Sequence, residues 1–128
     1  PHIRRTMDEV RAVLHTDTRL IDVRTPEEFN GEVSRVKRLG HIPGAINLPR
    51  GVLVAADGTI QPQGILEDTF DTIGLNKADA AEDVVFYCNG GVSASYGLLA
   101  YRVAGFSGGA VYDGSWKEWG ADESNPIA

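Results

Sequence analysis

An α/β domain with a central, mainly parallel sheet and helices on both faces is predicted by three observations. Short apolar runs that read as buried strands alternate along the chain with segments of helical spacing, the pattern of a parallel sheet joined by crossover helices. One of those strands runs through a short glycine-bearing loop directly into a helix. The 128 residues suffice for one ordinary domain with a sizeable core.

Thr6-Met-Asp-Glu9 is a capping box, with Met7, Val10, Val13 and Leu14 following at helical spacing. Leu20-Ile-Asp-Val23 reads as a strand. Thr25 caps a short helix that Pro26 opens and that runs to Phe29. From Asn30 to Gly40 the chain is polar, a surface loop. The stretch from His41 to Pro49 reads as a tight turn feeding a very short strand, Ala45 to Leu48. Gly51 to Gly64 carries glycines and no periodicity, so a loop is expected. Ile65 to Ile73 fits a helix stopped by Gly74 in a left-handed cap. Val84-Val-Phe-Tyr87 is an apolar strand, and Ala94 to Ala104 the helix after it, with Leu98, Leu99 and Val103 available for burial. Ala110-Val-Tyr112 is one more short strand, and Asp113 to Trp119 turns into a final helical turn.

Bulk properties narrow the function. No apolar run approaches the about 20 residues of a membrane helix, so no membrane partner is expected. A net charge of −6 argues against nucleic acid. The charge is uneven: nine basic and seven acidic residues up to Arg50, three and eleven after it. The cations around Arg24 and Arg35-Val-Lys-Arg38 are either a solvated loop or an attractor of anions. Nothing reads as a signal peptide, and one unpaired cysteine suits a reducing cytosol, so a cytoplasmic location is expected. The chain starts at Pro1 without methionine and is expected to be processed or cut from something longer.

Cys88 is the only cysteine. A lone cysteine is usually a small core hydrophobe. Its context here reverses that expectation. Cys88 opens a loop at the carboxyl end of a strand, where open α/β sheets bind ligands. A helix beginning near Ser93 or Ala94 directs its free N–H groups and positive dipole end at the sulfur, which favours the nucleophilic thiolate.

Four segments resemble the signatures of the rhodanese family. They are Leu20-Ile-Asp-Val-Arg-Thr-Pro-Glu-Glu-Phe, Gly40-His-Ile-Pro-Gly-Ala-Ile-Asn-Leu-Pro, Cys88-Asn-Gly-Gly-Val-Ser-Ala and Val111-Tyr-Asp-Gly-Ser-Trp-Lys-Glu-Trp. The last, with the tail at Asn125-Pro126, is most similar to the catalytic C-terminal half of two-domain thiosulfate and 3-mercaptopyruvate sulfurtransferases. The resemblance implies a rhodanese-like fold and sulfur transfer through a Cys88 persulfide, without cofactor or metal. It implies a small-molecule sulfur donor, a cyanide or thiol acceptor, and a second rhodanese domain as a candidate partner. The loop of Asn89, Gly90, Gly91, Val92 and Ser93 is then expected to ring the sulfur with backbone N–H groups, in conformations that disfavour a Cβ at both glycines. Ser93 adds a hydroxyl donor. Arg24 is the candidate for the donor's anionic group, its alternative being an ion pair with Asp22 or a nearby glutamate. Asp22, His41 and Asp113 are expected to support the site structurally, and Trp116 and Trp119 to pack. The uncharged loop is closer to mercaptopyruvate enzymes than to thiosulfate-preferring ones, although Asn89 departs from both.

Two other readings compete. A related phosphatase needs a longer loop ending in arginine, whereas Ala94 stands six positions after Cys88 and no arginine follows before Arg102. A non-catalytic binding module of the same fold usually lacks the cysteine.

Overall fold

The computed structural model describes residues 3–76 and 83–128, and the alternation of strands and helices is as predicted. Five strands form one sheet: β1 (Arg4–Arg5), β2 (Arg19–Asp22), β3 (Ile46–Asn47), β4 (Val84–Tyr87) and β5 (Ala110–Tyr112). Their order is β1-β5-β4-β2-β3 and every pairing is parallel. β4 is central and buried at all four positions. β1 is not legible in the sequence: two arginines on a sheet edge carry no apolar signal, and charge is what an edge strand needs. β2 starts one residue earlier than predicted because Arg19 pairs with Val84, while the Val23 amide still donates to the Tyr87 carbonyl at 3.0 Å.

The helices are α1 (Met7–Ala12), α2 (Pro26–Phe29), α3 (Gln63–Asp71), α4 (Val92–Val103) and α5 (Ser115–Trp119). Both predicted N-caps form as full capping boxes, Thr6 with Glu9 and Thr25 with Glu28. Gly74 closes the end of α3 at φ +82°, as expected of a left-handed cap. The predicted loop after Gly51 contains local order: a single 3-10 turn over Arg50–Leu53 and a bridge between Val54 and Ile60.

α4 buries Ala94, Gly97, Leu98 and Tyr101, a face at i, i+3, i+4 and i+7. Leu99 and Val103, read from the sequence as available for burial, lie on the opposite face and are exposed. Helical periodicity leaves the choice of face open when apolar residues occur on both sides. The sheet makes the choice, because a Cβ on Gly97 would come within 2.9 Å of the Phe86 ring and only glycine allows that approach.

Two cores sit on the two faces of the sheet. One joins Ile21, Phe86 and Val111 to α3 and α4 through Phe70, Leu98 and Tyr101. The other joins Leu20, Val85 and Tyr112 to Val10 of α1, Phe29 of α2 and Trp116 and Trp119 of α5. Both tryptophans are fully buried, in the packing role predicted for them. No helix among the described residues is long and apolar enough to cross a membrane.

Candidate active site

β2 and β4 are neighbours whose connections leave toward opposite sides of the sheet. β2 leads through α2 to β3, and β4 leads through α4 to β5, on the other face. Their carboxyl ends therefore flank a topological switch point, where an open α/β sheet leaves a crevice. Asp22 ends β2 and Cys88 follows β4 directly, so the fold brings the first and third signatures together there.

The chain after β4 turns sharply. Gly91, at φ +99°, is the N-cap of α4, and the helix starts at Val92, earlier than predicted. The Gly91 N–H donates to Cys88 Sγ at 3.0 Å. The first bond of the helical ladder runs from Ser95 N–H to the Gly91 carbonyl, so the preceding amides remain at this end to face an anion. The cysteine is nearly buried, 4% exposed.

The loop is fixed from two sides. The Cys88 N–H donates to Ser115 Oγ at 3.0 Å, and that hydroxyl donates to the Tyr112 carbonyl at 2.9 Å. Ser115 Oγ also lies 3.9 Å from Cys88 Sγ. The Trp116 and Lys117 amides, free donors at the start of α5, bond the Cys88 and Asn89 carbonyls at 2.8 and 2.9 Å. From the other side, Asn89 Nδ2 donates to Glu28 Oε2 at 2.8 Å. Burial opposes charge on Glu28, but the Asn89 and Thr25 hydrogen bonds outweigh it and hold this carboxyl below its ordinary range.

The predicted glycines differ. A Cβ on Gly91 would meet the Asp113 carbonyl oxygen at 3.0 Å, and its φ excludes most side chains. Gly90 has no positive φ, and a Cβ there would meet nothing within 4 Å, so the expectation that both positions require glycine is corrected at Gly90. Val92 and Ser93 line the same cavity as Cys88, with Val92 86% exposed.

Arg24 lines the cavity, but most of its guanidinium is engaged within the protein. Its side chain is fully buried: Nε and Nη2 bond the Asp22 carboxylate, Nη2 bonds the Gly40 carbonyl, and the guanidinium stacks 4.7 Å from the Trp116 ring. Its Nη1 is the one buried side-chain nitrogen or oxygen among the described residues that has no hydrogen-bond partner. Burial disfavours its charge, yet Asp22 more than compensates and holds the pKa above the usual arginine value. The structure thus contains the alternative ion pair of Arg24 with Asp22. His41 is structural as well, donating from Nδ1 to the Phe29 carbonyl at 2.8 Å and stacking on that ring at 3.8 Å. Asp113 supports through its backbone against Gly91, its carboxylate pairing with Arg4 at 3.1 Å.

A cavity of about 610 Å³ opens over Cys88. Its wall includes Arg35, from the basic cluster left open as an anion attractor, and Glu28 and Arg50, neither of which the sequence singles out as a site residue. Glu28 and Ser115 stand within the first and last signatures, so their places in those motifs were the available signal. Arg50 follows the second signature directly, and nothing local distinguishes it from a solvated surface arginine.

The chain matches the family described as Rhodanese-like domain over residues 6–122. It is 40% identical over 109 residues to a Mycobacterium tuberculosis protein named "Putative thiosulfate sulfurtransferase SseB", covering 84% of this chain and 37% of that one. It is 35% identical over 118 residues to the "Sulfur carrier protein TtuD" of Thermus thermophilus, covering 85% and 40%. Among solved structures, wild-type EanB superposes with a TM-score of 0.88 at 30% identity, over 99% of this chain and 31% of that one. EanB is also known with ergothioneine covalently linked to a persulfide cysteine, a structure that superposes at TM-score 0.86 and 28% identity over 99% and 32%. The chain thus spans less than half the length of these relatives.

Proposed function

The chain belongs to the rhodanese-like family, and we propose that it is a sulfurtransferase that carries sulfane sulfur on Cys88. The observation that carries this reading is the sulfur atom at a switch-point crevice, hydrogen-bonded by the Gly91 amide at the N-terminus of α4. A thiolate so held is a nucleophile and its persulfide an anion that the same donors stabilise.

The donor is thiosulfate or 3-mercaptopyruvate. With thiosulfate, Cys88 Sγ attacks the outer sulfur; the S–S bond breaks and its electron pair leaves with sulfite. With 3-mercaptopyruvate, the C–S bond breaks and the carbon leaves as the enolate of pyruvate. Either step leaves a Cys88 persulfide. Cyanide or a thiolate then attacks the terminal sulfur, and the electron pair of the S–S bond returns to Cys88. No external oxidant or reductant enters, and ping-pong kinetics follow. The names of the relatives support thiosulfate and a sulfur-carrier role. The uncharged Asn89-Gly90-Gly91 stretch supports 3-mercaptopyruvate. A cytoplasmic setting suits this chemistry because reducing conditions keep the thiol free. A second rhodanese domain is the proposed protein partner, a reading that the 86% exposure of Val92 beside the cavity supports.

The test is intact mass after incubation of the reduced protein with each donor, and again after cyanide. A gain of one sulfur atom that cyanide removes, absent in Cys88→Ser, is expected. No gain with either donor would overturn the reading and favour a non-catalytic binding module.

A further inference from the structure

Three arginines line the cavity over Cys88: Arg24, Arg35 and Arg50. Their charges are spent differently. Arg24 is sealed against Asp22 at 2.8 Å. Arg35 stands 3.9 Å from Glu28. Arg50 has no carboxylate partner among the described residues. The carboxylates in the same wall are Glu27, which is exposed, and Glu28, which accepts from Asn89 and Thr25.

Arg50 is nonetheless held in place. Its amide donates to the Val23 carbonyl at 3.0 Å, which ties it to the end of β2, and it opens the 3-10 turn. Its guanidinium lies 4.9 Å above the Tyr96 ring. Tyr96 belongs to α4, the helix that begins at the active-site loop. Stacking engages the face of a guanidinium and leaves its in-plane N–H groups free to bind oxygen atoms. Such a residue presents a positioned, unneutralised charge to a cavity whose nucleophilic loop has none of its own.

We propose that Arg50, positioned by Tyr96, is the anion-binding subsite beside Cys88 and takes the carboxylate or sulfonate-like group of the sulfur donor. The identity of that ligand rests on the sulfurtransferase reading; the subsite itself rests on the geometry. Arg50 binds the substrate, and Tyr96 acts through Arg50.

Alkylation of Cys88 separates the two, because it needs no sulfur donor. Second-order rates with iodoacetate, an anion, and iodoacetamide, its neutral analogue, are compared at low ionic strength. Arg50→Gln is expected to slow iodoacetate about tenfold and to leave iodoacetamide within about twofold, the signature of one nearby charge. Arg50→Lys should recover much of the iodoacetate rate, and Tyr96→Leu should lose part of it. In the same Arg50→Gln protein the thiosulfate KM should rise about tenfold with little change in kcat, a loss of uniform binding. An unchanged reagent ratio, or an equal loss with both reagents, would overturn the subsite. A shifted ratio in a protein that never forms a persulfide would leave the subsite standing and overturn the sulfurtransferase reading instead.

Discussion

Gly91 holds a φ of +99° and would press a Cβ to 3.0 Å from the Asp113 carbonyl oxygen, while its neighbour Gly90 has neither constraint. The two glycines should therefore part company on substitution. Gly91→Ala is expected to cost about 1–2 kcal/mol from the left-handed backbone alone and to displace the amide that meets Cys88 Sγ. Gly90→Ala should stay within about 1 kcal/mol of the parent protein. Urea denaturation with iodoacetamide kinetics checks both; equal effects at the two positions would contradict this account of the loop. Ser115 is the second residue of this kind. It sits at φ +55°, fully buried, and its hydroxyl satisfies the Cys88 amide and the Tyr112 carbonyl together. Ser115→Ala removes the hydroxyl partner of both groups and is expected to destabilise by about 1–3 kcal/mol. It should also change the reactivity of Cys88, because the sulfur loses a hydroxyl 3.9 Å away and the loop loses its base. Parent-like unfolding and alkylation would remove Ser115 from the site.

Among the elements, α4 carries two tasks at once. Its first turn faces the sulfur, and its buried stripe packs on β4. Gly97 lies where helix and sheet come closest, with Phe86 and Val23 at 2.9 and 3.1 Å from a Cβ there. Helix propensity alone favours alanine over glycine by about 1 kcal/mol. Overpacking against a core ring costs about 1–3 kcal/mol and should outweigh that gain, so Gly97→Ala is expected to destabilise. On the same helix Leu98→Ala should cost about 2–5 kcal/mol, since Leu98 is buried, whereas the exposed Leu99→Ala should cost little. Equal costs for Leu98 and Leu99 would mean that the helix presents another face to the sheet.

Across the whole molecule, Glu28 ties the first signature to the third, accepting from Asn89 while capping α2 with Thr25. Its carboxyl is held below the ordinary value of 4.5, against the opposing effect of burial. A carboxylate whose folded pKa is depressed contributes stability that is present above its unfolded pKa and is lost as pH falls through the folded one. The loss therefore begins near the ordinary value of 4.5 and continues below it. Glu28→Gln should lower the Tm at about pH 7, and the gap to the parent protein should narrow below about pH 4. A gap independent of pH would show that the charge on Glu28 does not matter. The C-terminal tail closes the same assembly. Arg38 donates to the Asp122 and Asn125 carbonyls at 2.8 and 3.0 Å, Trp116 Nε1 donates to the Arg38 carbonyl at 3.1 Å, and His41 pairs with the backbone of Ala128. Part of the basic cluster that the sequence leaves open as an anion attractor is thus structural.

The order of strands and α-helices from α1 onward, the mainly parallel α/β class and Cys88 as candidate nucleophile were available from sequence alone. They depend on local patterns: apolar runs of strand length, a capping box at Thr6, an N-cap at Thr25 before Pro26, and a cysteine set between a strand and a helix. The tertiary structure decided which charges face the cavity. Asp22 and Arg24 look alike in the chain to any exposed pair, and only the packing of Trp116 and the Gly40 carbonyl around them consumes the guanidinium. Arg50 and Tyr96 are far apart in sequence and meet because the 3-10 turn after β3 lies beside α4. Local periodicity reports how a segment folds, while the fate of a charge depends on partners that other segments supply.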